Sequence, residues 1–486
     1  MIPHHSRITL ATEFLLPGHN PIDCDVLVIG GGASGSLMAL HLLRQNAALR
    51  IAIVERSSLL GCGVAYSTQD PDHLLNTRVH NMSAYADEPD HFLHWLQGAG
   101  ARPEATPDSF VGRPLYGAYL GQLLAQHRVA PASAEPTDKA FRPGITCLQG
   151  DCVDLVETQS GVTARLEDGT EVSAYRAVLA TGHATPSEPA EGLTSAWDFT
   201  PPKSADESIL IIGTGLSMVD HLMSLLRAGH RGKIVCVSRR GLLPREHRPG
   251  SALTIRPEEI PFGQPVSRVL HWLRKQAQKA EKMGGTWRDA VDGLRPFVAK
   301  LWQSWPLLER RRFLRHGASW WEVYRHRMPP RSASLLSKAA ERGQFLVVKA
   351  RFEGAELHGS QRHVRLRQAG GTIREQAFDK VIDCRGIRRD PVTDSGPVVR
   401  ALLARGDARL DALNLGLDTT LEAQLVNTAG AASPRIYAIG PCARGALWEI
   451  TAIPDIRLQC AAVASAIAAR VDEDTLASLE LTAQDS

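Results

Sequence analysis

Three glycines and one acid carry the first chemical signal in the chain. Gly30, Gly32 and Gly35 follow the apolar run Val26–Ile29. Glu55 closes a second apolar run, Ile51–Val54, 20 residues beyond Gly35. Between them, Leu37, Leu40 and Leu43 recur at helical spacing. The pattern predicts strand, tight turn, helix, strand. In such a unit Gly30 permits the turn, Gly32 lets a pyrophosphate approach the backbone, and Gly35 lets the helix sit close to the sheet. The free N–H groups and dipole of the helix start favour phosphate charge, and Glu55 can accept hydrogen bonds from a ribose diol.

A second unit of the same kind spans Ser208–Arg240. Strand Ile209–Ile212 runs into Gly213 and Gly215, and a helix follows through Leu216, Ser217, Val219, Leu222 and Met223. Met218 replaces the third glycine. At the offset of Glu55 from Gly30, this unit has Ser238, followed by Arg239 and Arg240. A carboxylate repels a 2′-phosphate, whereas a hydroxyl and guanidinium groups bind it, so the swap favours NADPH over NADH. A solvated strand end is the alternative reading of the two arginines.

Composition narrows the function classes. The 486-residue chain is 43% hydrophobic and 22% charged with net charge +3, which argues against nucleic acid or an anionic membrane as the main partner. No apolar run reaches the length of a membrane-spanning helix, and the N-terminus lacks a signal-peptide pattern, so a cytoplasmic location is expected. Eight cysteines show no CxxC spacing and no zinc pattern, and no metal is expected. The pair Cys147 and Cys152 reads as two positions on or beside a strand.

The elements around these motifs follow from periodicity. Residues 1–22 read as a peripheral tail. The irregular stretch 59–96 follows the first unit, with Asp90 as N-cap of a helix over His91–Leu96, and reads as a binding loop or a structured surface loop. Residues 113–127 read as helix and 128–144 as loop. Ile145 opens a predicted β-meander with a turn at Asp168–Gly169 that ends in the strand Ala177–Gly182. Pro186, Pro189, Pro201 and Pro202 mark a crossover between domains. Residues 262–345 are helical, basic and rich in tryptophan. They read as an insert with tryptophan in its core and arginine on its rim, against the rival of nucleic-acid stacking. Strands return over 346–383, ending in Lys380–Gly386; Arg435–Gly440 is a late strand, and an Ala-rich helix starts at Pro454. The fold class read from this is α/β: two Rossmann-like dinucleotide-binding domains with a β-meander and an inserted helical segment.

Several stretches together resemble the bacterial FAD–NAD(P)-binding family of two-domain flavoproteins. They are GCGVAYST, HLLNTRVHNMSAYAD, GTGLSMVDHL, SRRGLLPREH, RRRFLRHGASWWEVYRHR and GPCARGALWEITAIPDIR. The family is distantly similar to flavin-dependent monooxygenases, including N-hydroxylating ones. The resemblance implies an FAD-binding domain over 23–200 and 386–486 and an NAD(P)-binding domain over 201–385 with the insert 262–345. It implies FAD contacts at Gly30, Gly32, Ala33, Ser34, Gly35, Glu55, Arg56, Val64, Ala65, Asn76 and Met82. It also implies them at Val153 (backbone, adenine), Thr181, Gly182, Gly440, Pro441, Trp448, Glu449 and Ile450. NADPH contacts are expected at Gly213, Gly215, Leu216, Ser217, Ser238, Arg239 and Arg240. Many relatives of this fold carry Gly-Asp at the late turn; Gly440-Pro441 lacks that carboxylate. His73, His80, Asn76 and Arg444 are polar candidates near the expected flavin loops, each more readily structural than catalytic. The implied activity is an FAD enzyme reduced by NADPH that uses molecular oxygen, through a flavin hydroperoxide, on a small nucleophilic amine- or sulfur-containing substrate. The alternatives are an NAD(P)H-dependent reductase serving a protein or small-molecule acceptor and a flavin-bound sensor.

Overall fold

The structure, a computed structural model, describes residues 22–99, 101–129, 142–184, 192–385 and 390–484. The expected N-terminal tail, most of the loop over 128–144, Pro186, Pro189 and Gly386 lie outside these residues. The chain divides into two compact units. The first comprises Met1–Gln69, Thr77–Ala184 and Asp390–Ser486; the second comprises Asp70–Asn76 and Thr185–Arg389.

The first unit begins with β1 (Ile22–Ile29), α1 (Ala33–Gln45) and β2 (Arg50–Glu55). Helices α2 (Gly63–Tyr66), α3 (His91–Gly98) and α4 (Arg113–Ala125) follow. Then come β3 (Gly144–Gln149), β4 (Cys152–Glu157), β5 (Val162–Leu166) and β6 (Glu171–Leu179). In the second unit, β7 (Thr194–Ser195), β8 (Ile209–Ile212), α5 (Leu216–Arg227) and β9 (Ile234–Ser238) lead into the helical insert. The insert holds α6 (Val266–Lys282), α7 (Trp287–Leu294), α8 (Val298–Ser304), α9 (Leu307–Arg312), α10 (Ala318–Arg325) and α11 (Pro330–Glu341). Strands β10 (Phe345–His358), β11 (Gln361–Gln368), β12 (Ile373–Phe378) and β13 (Lys380–Asp383) complete it. The chain then returns to the first unit with α12 (Pro397–Arg405), β14 (Gln424–Val426), β15 (Ala432–Ala438) and α13 (Ile453–Gln484).

The first sheet runs β14-β15-β6-β1-β2-β3, with β4 and β5 attached through β6. Strands β15, β6, β1, β2 and β3 are mutually parallel. The expected meander shrinks here. Ile145 does not open it; Ile145 lies in β3, beside Ile51 of β2. Consecutive burial from Gly144 to Leu148, which a covered parallel strand requires, distinguishes β3 from the alternating meander strands. Of the strands expected in the meander, β4, β5 and β6 pair antiparallel. Asp90 occupies the N-cap of α3, but its side chain makes no capping hydrogen bond.

The second sheet runs β12-β11-β10-β9-β8-β13-β7. Its core has two faces, set by strand alternation. Ile209 and Ile211 pack with Met218, Leu222 and Leu336 on the side of α5 and α11. Leu210 and Ile212 pack with Val364, Leu366 and Phe378 on the side of the β10–β12 meander. In the insert, Trp302 and Trp305 are buried and pack with Phe313. Arg310 lies over Trp302 and donates to the carbonyls of Trp305 and Gln303, so part of the Trp/Arg interleaving is internal packing.

Candidate functional site

Each glycine fingerprint is closed by a strand from elsewhere in its own unit. Gly30 has φ +106°, and a Cβ there would stand 2.5 Å from Ala180 O. Gly213 has φ +115°, and a Cβ there would stand 2.2 Å from Cys384 O. Both conformations favour glycine, and both contacts forbid anything larger. The residues that leave β6 and β13, Ala180 and Cys384, therefore serve the same purpose: each crosses the turn of its cradle. Ala180 N donates to Ile29 O at 2.8 Å, Gly30 N to Val54 O at 2.8 Å and Gly213 N to Val237 O at 2.8 Å, which fixes the geometry.

In the first cradle α1 starts at Ala33, with Gly32 as its N-cap and no capping side chain. The first-turn N–H groups of Ala33, Ser34 and Gly35 are thus left by the side chains for an anion. Gly35 meets the Gly30 carbonyl so closely that a Cβ would lie 1.8 Å from its oxygen. Glu55 reaches back across the cradle: Gly31 N donates to Oε2 at 2.6 Å and Ser57 N to Oε1 at 2.8 Å. Arg56 is exposed beyond it. Val64 and Ala65 are exposed on α2, which approaches through Gly63, 3.2 Å from a Cβ on Gly32. Met82 is buried. Val153 is the extra residue of a β-bulge, because Cys152 pairs with Leu166 and Asp154 with Arg165. A bulge takes backbone groups out of the ladder, as a backbone contact to a base requires. These features fit a dinucleotide: the cradle is closed to side chains and open to an anion.

The late turn lies against the same cradle. Gly440 has φ +67°, and a Cβ there would sit 2.5 Å from Ser34 Oγ. Its N–H donates to Gln459 Oε1 on α13 at 2.8 Å. Thr181 hydrogen-bonds Cys442, and Gly182 takes φ +72°. Pro441 starts the 3₁₀ turn Gly440–Ala443, and Trp448, Glu449 and Ile450 are buried. Arg444 lies 4.3 Å over the Trp448 ring.

Two residues that the sequence reading passed over belong here. His183 follows Gly182 directly; burial, and then the Arg444 charge, push its pKa down to about 4, so the imidazole is neutral at neutral pH. Its place after Thr181-Gly182 was the available signal. Asp411 accepts from the N–H groups of Leu413, Leu415 and Gly416 and abuts Gly445, so it braces the turn from behind. With its oxygens engaged this way, Asp411 is not a substitute for the carboxylate that Pro441 displaces.

The second cradle repeats the plan with a different rim. Gly215 caps α5 without a side-chain hydrogen bond, and nothing stands within 4 Å of a Cβ built there. Leu216 and Ser217 are half-buried in the first turn, and Met218 is buried in the core. Ser238 turns inward: Thr214 lies 3.0 Å from its hydroxyl and Gly241 N donates to it at 3.0 Å. Thr214 Oγ1 donates to Ser238 Oγ and also lies 2.6 Å from Leu242 O. Ser238 therefore accepts two hydrogen bonds that stabilise the turn. Arg240 donates to the carbonyls of Arg315 and His316, anchoring the insert. Arg239 is exposed.

The polar candidates of the stretch 73–80 each have partners within their own unit. His73 and Asn76 belong to the second unit. Asp70 accepts from Ser224 Oγ at 2.7 Å and Arg227 Nη2 at 2.8 Å, His73 Nε2 lies 2.8 Å from Ser224 Oγ, and Arg331 pairs with Asp72 at 3.0 Å. The Asn76 carbonyl accepts from His247. These bonds carry the short segment into the second unit. His73 is 1% exposed and packs at a tilt against Phe199, 4.3 Å between ring centroids, which is structural packing. In the first unit, His80 donates through Nδ1 to Pro107 O at 2.9 Å and accepts at Nε2 from Asn81, so both ring nitrogens are engaged.

Phe199 also stacks on His221, whose Nε2 donates to Ala196 O at 3.0 Å. Burial pushes the His221 pKa down to about 4 from 6.5. The unfolded chain therefore binds this proton first. The stability is complete above pH 6.5 and is lost as pH falls from 6.5 to about 4. The shift corresponds to roughly 3 kcal/mol between those limits. In urea unfolding at pH 7 and pH 4, His221→Gln should lose correspondingly less stability than wild type. An identical pH loss in both proteins would contradict this.

All eight cysteines are buried and free. Burial raises the thiols of Cys62, Cys147 and Cys442 to about 11 and that of Cys152 to about 12. None is poised as a thiolate. Among the described residues no cluster could hold a metal ion, and no helix is long and apolar enough to cross a membrane.

Residues 27–184 match the FAD-NAD(P)-binding family model. No curated protein sequence matches the chain. Among solved structures, the chain is similar to the ornithine N-hydroxylase of Kutzneria sp. 744, solved with reduced FAD, NADP+ and L-ornithine, at TM-score 0.61 and 14% identity. It is similar to the reduced form of the ornithine hydroxylase of Pseudomonas aeruginosa at 0.60 and 14%. It is also similar to the bacillithiol disulfide reductase of Staphylococcus aureus at 0.51 and 10%. Each alignment covers 92% of this chain and 99% of the other. The chain thus matches the FAD-NAD(P)-binding family model over residues 27–184 and shares the two-Rossmann-domain fold of the ornithine hydroxylases.

Proposed function

We propose that the protein is an FAD-dependent oxidoreductase, reduced by NADPH, that oxygenates a small nucleophilic substrate carrying an amine or sulfur. The observation that carries this reading is the pair of glycine cradles, each closed by its own crossing strand and each left without a helix-capping side chain. The chemistry a bound FAD supplies is two-electron transfer from a nicotinamide to dioxygen or another acceptor.

The first unit holds FAD. Gly30, Gly32, Ala33, Ser34 and Gly35 receive its pyrophosphate, Glu55 its ribose, and the Val153 backbone its adenine. Arg56, Val64, Ala65 and Met82 flank the cofactor. Thr181, Gly182, Gly440, Pro441, Trp448, Glu449 and Ile450 form the wall at the flavin end, where His183 offers a neutral imidazole and Arg444 a fixed positive charge. The second unit holds NADPH through Gly213, Gly215, Leu216 and Ser217. Arg239 meets the 2′-phosphate, while Ser238 and Arg240 hold the turn that presents it.

Support for oxygen as the acceptor comes from the likeness to two ornithine hydroxylases and from the cysteines, none of which offers a dithiol relay. A reductase without oxygen insertion is the second reading, favoured by the fold shared with a disulfide reductase. Anaerobic titration with NADPH, followed by admission of air while oxygen uptake and substrate product are followed, separates the two. Oxygen uptake coupled to an oxygenated amine or thioether supports the proposal. NADPH consumption with no oxygen uptake under any substrate leaves the reductase. Arg239→Ala should raise the KM for NADPH by about tenfold and leave that for NADH nearly unchanged. Equal effects on both would remove the 2′-phosphate assignment.

A further inference from the structure

Beyond the second cradle, the loop after β9 gathers arginines around an aromatic pair. Trp287 and Tyr324 meet edge to face at 4.8 Å between ring centroids. The Arg288 guanidinium lies 4.4 Å over Trp287, Arg327 lies 6.0 Å from the same ring, and Arg245 lies 5.5 Å over Tyr324. Backbone bonds fix this arrangement. Arg245 N donates to Val323 O at 3.0 Å, Met328 N to Arg245 O at 2.8 Å, and His247 N to Met328 O at 2.9 Å. Arg288 donates through Nε and Nη2 to Glu246 O at 2.9 and 2.8 Å.

The charges in this cluster do not balance locally. Asp292 pairs with Arg327, and Glu246 lies 3.5 Å from Arg248. Asp289 accepts from Thr286 N in the capping box of α7. Among the described residues, neither Arg245 nor Arg288 has a carboxylate at ion-pair distance. Arg288 is 9% exposed, whereas Arg245 and Arg248 reach solvent. Burial, then the charges of Arg248 and Arg327, lower the Arg288 pKa, a mark of like charges held together. Such crowding costs free energy that an anion would offset, and guanidinium forks match carboxylate and phosphate geometry. The half-buried rings of Trp287 and Tyr324 give the site an aromatic wall.

We propose that Arg245 and Arg288, over the Trp287–Tyr324 pair, together with the nearby Arg248 bind a small ligand through its carboxylate or phosphate group. The site is separate from the Arg239 anchor and does not depend on the flavin reading. The full chain, loaded with FAD, is titrated calorimetrically with inorganic phosphate and with acetate at constant ionic strength. Saturable binding of one or both is expected, and the stronger one identifies the oxyanion. Arg245→Gln should weaken that binding by at least about tenfold, and Arg248→Gln should weaken it less. Circular dichroism and the urea midpoint should be unchanged in both, which reports that they are folded. Three results overturn the proposal: no saturable binding of either anion, binding unaltered in Arg245→Gln, or displacement of the anion by NADP+, which would make the cluster part of the nucleotide site.

Discussion

Gly30→Val should emerge from purification colourless. The position has φ +106°, and a side chain there would run into the Ala180 carbonyl. Left-handed backbone alone costs a branched residue about 1–3 kcal/mol. Overlap with a carbonyl of a central strand adds to this, because Ala180 N is itself bonded to Ile29 O and cannot retreat. The turn must open, and the first-turn N–H groups of α1 then no longer converge on one point. A loss of 2–3 kcal/mol is a fall in FAD affinity of roughly 30- to 150-fold. Flavin absorbance per polypeptide reads the result, and circular dichroism shows whether the fold persists. Full flavin content in a folded Gly30→Val protein would remove the first cradle as the FAD site.

Gly213→Val should give the opposite phenotype: yellow protein that NADPH reduces poorly. The clash is with the Cys384 carbonyl, at φ +115°, and lies wholly within the second unit. Flavin content should therefore match wild type, and dithionite should reduce it normally. The apparent Kd for NADPH in stopped-flow reduction should rise by at least about 30-fold, from the same strain. The two variants form a crossed pair. If Gly213→Val lost its flavin while Gly30→Val kept it, the assignment of cofactors to units would be reversed.

Much of this site was legible because its signals are local. A glycine that must turn a strand, a helix with apolar residues at threefold and fourfold spacing, and a strand entering Thr181-Gly182 are all written within a few residues. The features that stayed hidden are settled by distant partners. Nothing near Ile145 shows that β3 pairs with β2. Nothing near His73 shows that Asp70 meets Ser224 and Arg227, some 150 positions on, and carries the histidine into the second unit. Nothing near Ser238 shows that its hydroxyl accepts from Thr214, 24 positions back. Arg240 looks equivalent to Arg239 in sequence and differs only because two carbonyls of the insert face it.

The order of strands in the first sheet bears on how the protein is made. β15 lies beside β6, yet 252 residues of chain separate Leu179 from Ala432, and all of β7–β13 is translated in between. A nascent polypeptide that has reached Arg389 holds every strand of the second sheet, while the Ala177–Leu179 end of β6 still lacks β15 and α1 still lacks α13. Domains fold as units during synthesis, and exposed strand edges invite mispairing. The second unit can thus reach its fold first, and the first must wait for β15 and α13 to emerge, the interval in which chaperones would hold it.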